Sequence, residues 1–267
     1  MLQCTSSSLS FQRRLSSQTP PLPIPVGMGT VFGSFSFHGP SRKDTALEYL
    51  AIIPILLISV IIHELSHGLM AYKLGDPTAK KAGRLTLNPI PHIDLLGSIL
   101  IPLASYIVAG AVFIAWAKPV PVNPAYFQHR RRDDILVSIV GPLSNLLVAL
   151  ACVFGYAALS RVVPMDSMPE GSGQSAAFFF SDMMLAGISL NIYLAVFNMI
   201  PVPPLDGSHV LASLLPEELR RQYQRIGFAG ILVIMLAMRI ATVQNAVLWV
   251  VHQILVPYQL LIEWLGI

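Results

Sequence analysis

The sequence has 267 residues, of which 54% are hydrophobic and only 12% charged, with a mean hydropathy of +0.64. Soluble domains carry about 25% charged residues, so an ordinary soluble globular fold is excluded. The expected class is an all-α polytopic membrane protein: a helical bundle of about five to six membrane segments, with a re-entrant or extended Pro-rich insertion. The net charge of +3 is modest for this length and gives no reason to expect a nucleic-acid partner. Two cysteines, Cys4 and Cys152, are far apart and supply neither a disulfide framework nor a cysteine zinc site. Cys152, inside an apolar run, reads as a small packing residue.

Residues 1–43 lack acidic residues and are rich in Ser, Pro and Gly. They read as a disordered N-terminal tail ahead of an integral membrane domain, 44–267. A Ser-rich start with Arg13 and Arg14 leaves an organelle transit peptide as the alternative, and no long apolar stretch marks a secretory signal.

The first apolar run spans about Ala46 to Leu74 and contains His63-Glu64-Leu65-Ser66-His67. Asp44 or Thr45 can cap its start, and Pro54 lies inside it, which a bundle tolerates in lipid. Leu74-Gly75-Asp76-Pro77 stops it. Positions four apart share one helix face, so His63 and His67 can offer two imidazoles to one metal ion. Glu64 can reach a water beside that ion. The chemistry implied is zinc-assisted hydrolysis with Glu64 as general base. Two histidines and a glutamate could instead be polar glue on a buried helix, but ionisable groups inside an apolar span are expensive and mark function.

Residues 76–93 are short, basic and broken by proline, and His92 there reads as structural rather than as a ligand. A second apolar stretch, 94–117, is interrupted by Gly97, Pro102 and Gly110, and Lys118–Pro124 reads as extended chain. Arg130-Arg131-Arg132 precedes a clear span, 135–159, which holds Gly141-Pro142-Leu143-Ser144-Asn145. Asn145 is an amide in an apolar helix, either bonded to a neighbouring helix or facing substrate. A polar loop, 160–175, leads to a span over about 176–200. That span ends in Asn198-Met199-Ile200-Pro201-Val202-Pro203-Pro204-Leu205-Asp206-Gly207. Its prolines forbid ordinary helix, and irregular backbone at membrane depth survives only inside protein or beside a water-filled cavity. Asp206 is therefore the candidate third ligand, since two histidines and a carboxylate leave zinc an open position. Its alternative is a cap for a helix over 207–215. Two more apolar runs, 226–241 and 243–266, complete the chain. Arg239 and His252 within them carry no assigned chemistry, and no internal repeat is present.

For Asp206 to meet His63 and His67, the spans ending in the two sites must run in the same direction. One of the two intervening apolar runs must then fail to cross, and 94–117 is the one its prolines and glycines single out. Under that topology Lys73, Lys80, Lys81, Arg84, Lys118, Arg130, Arg131, Arg132, Arg220, Arg221 and Arg225 share one side. The positive-inside rule makes that side cytoplasmic.

His63-Glu64-x-x-His67 in a membrane helix, followed by Asn198-x-x-Pro-x-Pro-Pro-Leu-Asp206-Gly207, resembles the site-2 protease family of intramembrane zinc metalloproteases. Gly141-Pro142-x-x-Asn145 is similar to a third motif of that family. The resemblance covers roughly 46–215, which would be the catalytic core of a membrane metalloprotease domain. It implies one Zn²⁺ per chain held by His63, His67 and Asp206, with Glu64 as catalytic base and Asn145 as a substrate contact. It implies substrates that are transmembrane segments of other proteins, often membrane-tethered regulators, and a multi-pass protein of the bacterial inner membrane. An organelle membrane is the alternative if residues 1–43 are a transit peptide. The longest polar loops are about 16 residues, so no stretch here is expected to be a PDZ domain, and a separate adaptor could select substrates. The competing readings are a non-catalytic metal-binding scaffold or transporter, which needs no base at Glu64, and a zinc hydrolase acting on a lipid.

Overall fold

The computed structural model describes residues 45–94, 97, 100, 117–162, 176–227 and 229–266. Every regular element among the described residues is helical: α1 (Thr45–Lys73), α2 (Thr78–Lys81), α3 (Arg130–Val162), α4 (Ala176–Asn198), α5 (Asp206–Leu214), α6 (Glu217–Gln224), α7 (Ala229–Ala237) and α8 (Ala241–Trp264). Short 3-10 turns cover Ile90–His92 and Pro124–Tyr126. The tail 1–43, the polar loop 163–175 and most of 94–117 lie outside the described residues, and with them the expectations placed there.

Four of these helices are long and apolar enough to cross a membrane: Ile52–Lys73 in α1, Arg130–Val162, Phe179–Asn198 in α4, and Ala241–Trp264. The expected count of five to six is thus not reached among the described residues. The apolar run 226–241 is not among these four spans. It forms only the 9-residue α7, about 14 Å long at helical rise, and a hydrocarbon core is about 30 Å thick. The chain turns after Ala237 and α8 starts at Ala241.

Helix directions follow from three close approaches. His67 Nδ1 lies 2.6 Å from the Val137 carbonyl, and Gly141 packs on the imidazoles of His63 and His67. Further along, Gly187 of α4 packs on both Cys152 of α3 and Ile55 of α1, while Gly155 faces Met184. As α1 is read backward from His67 to Ile55, α3 is read forward from Val137 to Cys152, so these two helices are antiparallel. The Cys152–Gly187 and Gly155–Met184 contacts make α3 and α4 antiparallel as well. Helices α1 and α4 therefore run in the same direction, as the sequence argument required. The chain between Lys73 and Arg130 leaves and returns at the same end of the bundle. Large apolar side chains such as Ile53, Leu57, Leu147 and Phe154 are exposed, which suits faces turned to lipid.

The stop after α1 does more than end a helix. Gly75, at φ +102°, turns the chain, and Asp76 follows fully buried. Its Oδ1 accepts from the Thr78 amide at 2.9 Å and from the Thr78 hydroxyl, and its Oδ2 accepts from the Asn123 amide at 2.7 Å. The non-helical segment Lys118–Asn123 is pinned at its other end by Arg84, which donates to the Lys118 carbonyl, and by the Lys118 amide, which donates to the His92 carbonyl. His92 itself is buried, with Nε2 3.0 Å from the Thr86 carbonyl, a structural place as expected. Asp76→Ala leaves two amides of a buried turn unpaired. It is expected to cost about 2 kcal/mol, read as a lower Tm in thermal unfolding of the detergent-solubilised protein; an unchanged Tm would show that the turn carries no such strain on stability.

Candidate metal centre

Two elements bring the ligand candidates together. His63 and His67 stand one turn apart on α1, and Asp206 is the first residue of α5. One ligand atom from each of His63, His67 and Asp206 lies within 4.8 Å of the others. His63 Nε2 is 3.0 Å from His67 Nε2, the Asp206 carboxylate is 3.1 Å from His63 and 3.4 Å from His67, and the rings meet edge to face at 80°. Both histidines are buried. The N-cap of α5 is Leu205, Asp206 is the first helical residue, and its carboxylate is turned toward the imidazoles.

The donor set fits a cation. A carbonyl can only accept, so His67 Nδ1 donates to Val137, and the neutral ring then carries its lone pair on Nε2. This is the arrangement in which a metal-ligating histidine gives its other N–H to a backbone carbonyl. His63 Nδ1 and Asp206 Oδ2 are buried without an aligned hydrogen-bond partner. Two imidazole nitrogens and an ionised carboxylate facing one point are what a divalent ion such as zinc requires.

Glu64 is half-buried beside this cluster. Its Oε2 accepts a 2.7 Å hydrogen bond from the Val120 amide. The extended insertion read from the sequence thus reaches the site itself. Pro119 and Pro121 on either side have no N–H to give. Asn145 is buried on α3, and both its amide nitrogen and its oxygen lack protein partners.

Two glycines make the approach of these elements feasible. A Cβ on Gly141 would lie 2.3 Å from His67 Nε2 and 2.8 Å from His63 Cε1, so α3 can touch both imidazoles only with no side chain there. A Cβ on Gly207 would lie 2.2 Å from the Met199 carbonyl, so the Pro-rich turn folds back over the start of α5 and presents Asp206. The motif match had singled out Asn145 rather than Gly141, yet Gly141 is the residue in direct contact with the imidazoles. Val120 was missed because its contribution is a main-chain amide.

Gly141→Ala is expected to displace His67 and to lower zinc content at least several-fold in purified protein that still folds. Metal analysis beside circular dichroism checks it, and full zinc loading in the variant would mean that the imidazoles lie elsewhere.

Residues 157–242 match the family model described as peptidase family M50, a stretch that includes Asp206. YwhC of Bacillus subtilis, provisionally named a zinc metalloprotease, is 38% identical over 211 residues, covering 77% of this chain and 90% of that protein. Rip2 of Mycolicibacterium smegmatis, named in the same way, is 27% identical over 176 residues, covering 65% of this chain and 60% of Rip2. MJ0611 of Methanocaldococcus jannaschii, likewise named, is 32% identical over 166 residues, covering 61% of this chain and 71% of that protein. No solved structure matches the chain. With a relative this similar aligned over nine-tenths of its own length, the chain belongs to peptidase family M50, the site-2 protease family of zinc metalloproteases.

Proposed function

We propose that this chain is an intramembrane protease that hydrolyses a peptide bond in or beside a transmembrane segment of another membrane protein. The observation that carries the reading is the place of the base. Glu64, held by the Val120 amide, stands next to the His63–His67–Asp206 cluster, inside a helix long and apolar enough to span a bilayer.

His63, His67 and Asp206 are the metal ligands in this reading, with one zinc per chain. Zinc held there would supply the Lewis acidity that makes water nucleophilic near neutral pH. Glu64 uses the oxygen not bound to Val120 to take the proton of the attacking water and then returns it to the leaving amine. Asn145 lies four residues beyond Gly141, on the same face of α3. Its unpartnered amide is suited to hold the substrate main chain. A transmembrane helix hides its peptide bonds in internal hydrogen bonds, so a substrate segment must unwind locally, and helix-breaking residues in it favour cleavage.

An apolar groove of about 540 Å³ runs between α3, α4 and α8. Its lining includes Pro142, next in sequence to the glycine that touches the imidazoles, and Met199, whose carbonyl covers Gly207. An apolar groove on the helix that touches the imidazoles supports an apolar segment as substrate. The register also gathers the basic residues. The C-terminal end of α1, the N-terminal end of α3 and the α5–α6 segment share one end of the bundle, and so do their lysines and arginines. By the positive-inside rule that end is cytoplasmic, in a bacterial inner membrane or its equivalent.

Glu64→Gln is expected to keep its zinc and to lose about 10²-fold or more in turnover on a membrane-protein substrate reconstituted in liposomes. His67→Ala and Asp206→Ala are expected to lose zinc and activity together. Cleavage by Glu64→Gln at the wild-type rate would sink the assignment. Release of fatty acid rather than peptide fragments would point to lipid as the substrate.

A further inference from the structure

At the start of α3, away from the metal centre, lies a buried ion pair that the chemistry above leaves without a role. Asp134 and Arg220 are 5% and 4% exposed, and Arg220 of α6 approaches Asp134 Oδ2 at 3.4 Å. The same oxygen accepts a 3.0 Å hydrogen bond from the hydroxyl of Ser213, a buried residue of α5. His209, half exposed on α5, is 3.9 Å away on the other carboxylate oxygen. Three groups from α5 and α6 thus converge on one carboxylate of α3.

We propose that Asp134 is a positioning residue for Asp206: it seats α5 on α3 so that the first residue of α5 meets the imidazoles. This rests on the metal-centre reading. The argument is one of register. Asp206 and Ser213 are seven positions apart on α5, and Asp134 and Gly141 are seven apart on α3. Seven residues are close to two helical turns, so each pair shares a face, about 10 Å from end to end. At one end Gly141 packs on the imidazoles that Asp206 approaches. At the other, Ser213 bonds Asp134. The two helices therefore lie side by side in opposite directions, joined by two rungs of equal spacing.

The Asp206 rung cannot seat the helix by itself. Asp206 is the first helical residue and not the N-cap of α5, and its carboxylate reaches across to His63 and His67 of α1 rather than to α3. The Asp134 rung is complete within the protein. Arg220 offsets the cost of burying the carboxylate, and Tyr223, one turn along α6, donates to the Pro201 carbonyl at 2.8 Å. The same clamp thereby holds the turn that leads into Asp206.

The test is zinc affinity by chelator competition, together with the visible absorption of the Co²⁺-substituted protein, in the full chain. Asp134→Ala is expected to bind zinc about tenfold or more weakly and to show an altered Co²⁺ spectrum, because the third ligand is misplaced. Ser213→Ala removes the hydrogen bond and keeps the ion pair, and Asp134→Asn does the reverse; both are expected to fall between Asp134→Ala and wild type. Arg221→Ala, in an exposed pair on the same α6, is expected to match wild type. Folded Asp134→Ala with wild-type affinity and spectrum would overturn the proposal. Should Asp134→Ala fail to fold, wild-type values in both Ser213→Ala and Asp134→Asn would overturn it equally, and so would a loss of the same size in Arg221→Ala. If the wild-type chain takes up neither metal, it is the metal-centre reading that falls.

Discussion

Lone pairs aimed at one another repel, and inside this bundle three groups bearing them face a common point. Two imidazole nitrogens 3.0 Å apart and a carboxylate at 3.1 and 3.4 Å are costly neighbours in an apolar interior without positive charge between them. A cation held there would turn that cost into attraction. Much of the surrounding structure exists to keep the three groups at this spacing. Val137 fixes the tautomer and orientation of His67, the bare backbone at Gly141 admits both rings, and the proline-rich turn delivers Asp206 from a separate helix.

Helix α3 is the reference for all of this. Asp134, Val137, Gly141 and Asn145 recur at helical spacing along one face. They meet, in turn, the clamp on α5 and α6, the ring of His67, both imidazoles, and a place with unfilled hydrogen-bonding capacity. A rigid helix makes these four positions mutually fixed, so the imidazole cluster and the unpartnered Asn145 amide are measured from one scale. The loops attached to it carry chemistry but do not set distances.

What could be read from the sequence follows from how local each signal is. His63, Glu64 and His67 are legible because their spacing within one helix decides their geometry. Asp206 was legible because three prolines and a carboxylate at the end of an apolar run need a reason to be there. The direction of the spans was derived from that pairing, and the antiparallel register of α1 and α3 agrees. Apolarity over about 16 residues, as in the run 226–241, does not distinguish a crossing from a short helix and a turn. The Asp134–Ser213–Arg220 cluster left no trace, since its members stand far apart in the chain and each is an ordinary polar residue in an ordinary place. The role of Gly141 was hidden in a different way. A glycine before a proline in a helix gives no hint that the space beside it is taken by another helix's side chains.

The hydrogen bond from Val120 to Glu64 has an evolutionary consequence. Its donor belongs to the main chain, so every residue except proline can provide it, and side-chain identity at position 120 is answerable only to packing against Gly68. The orientation of Glu64 is thereby insulated from most substitution in the segment that orients it. Related chains that carry another apolar residue of fitting size here would keep the same contact. Comparing their sequences would then show a variable column at the very position that aims the carboxylate.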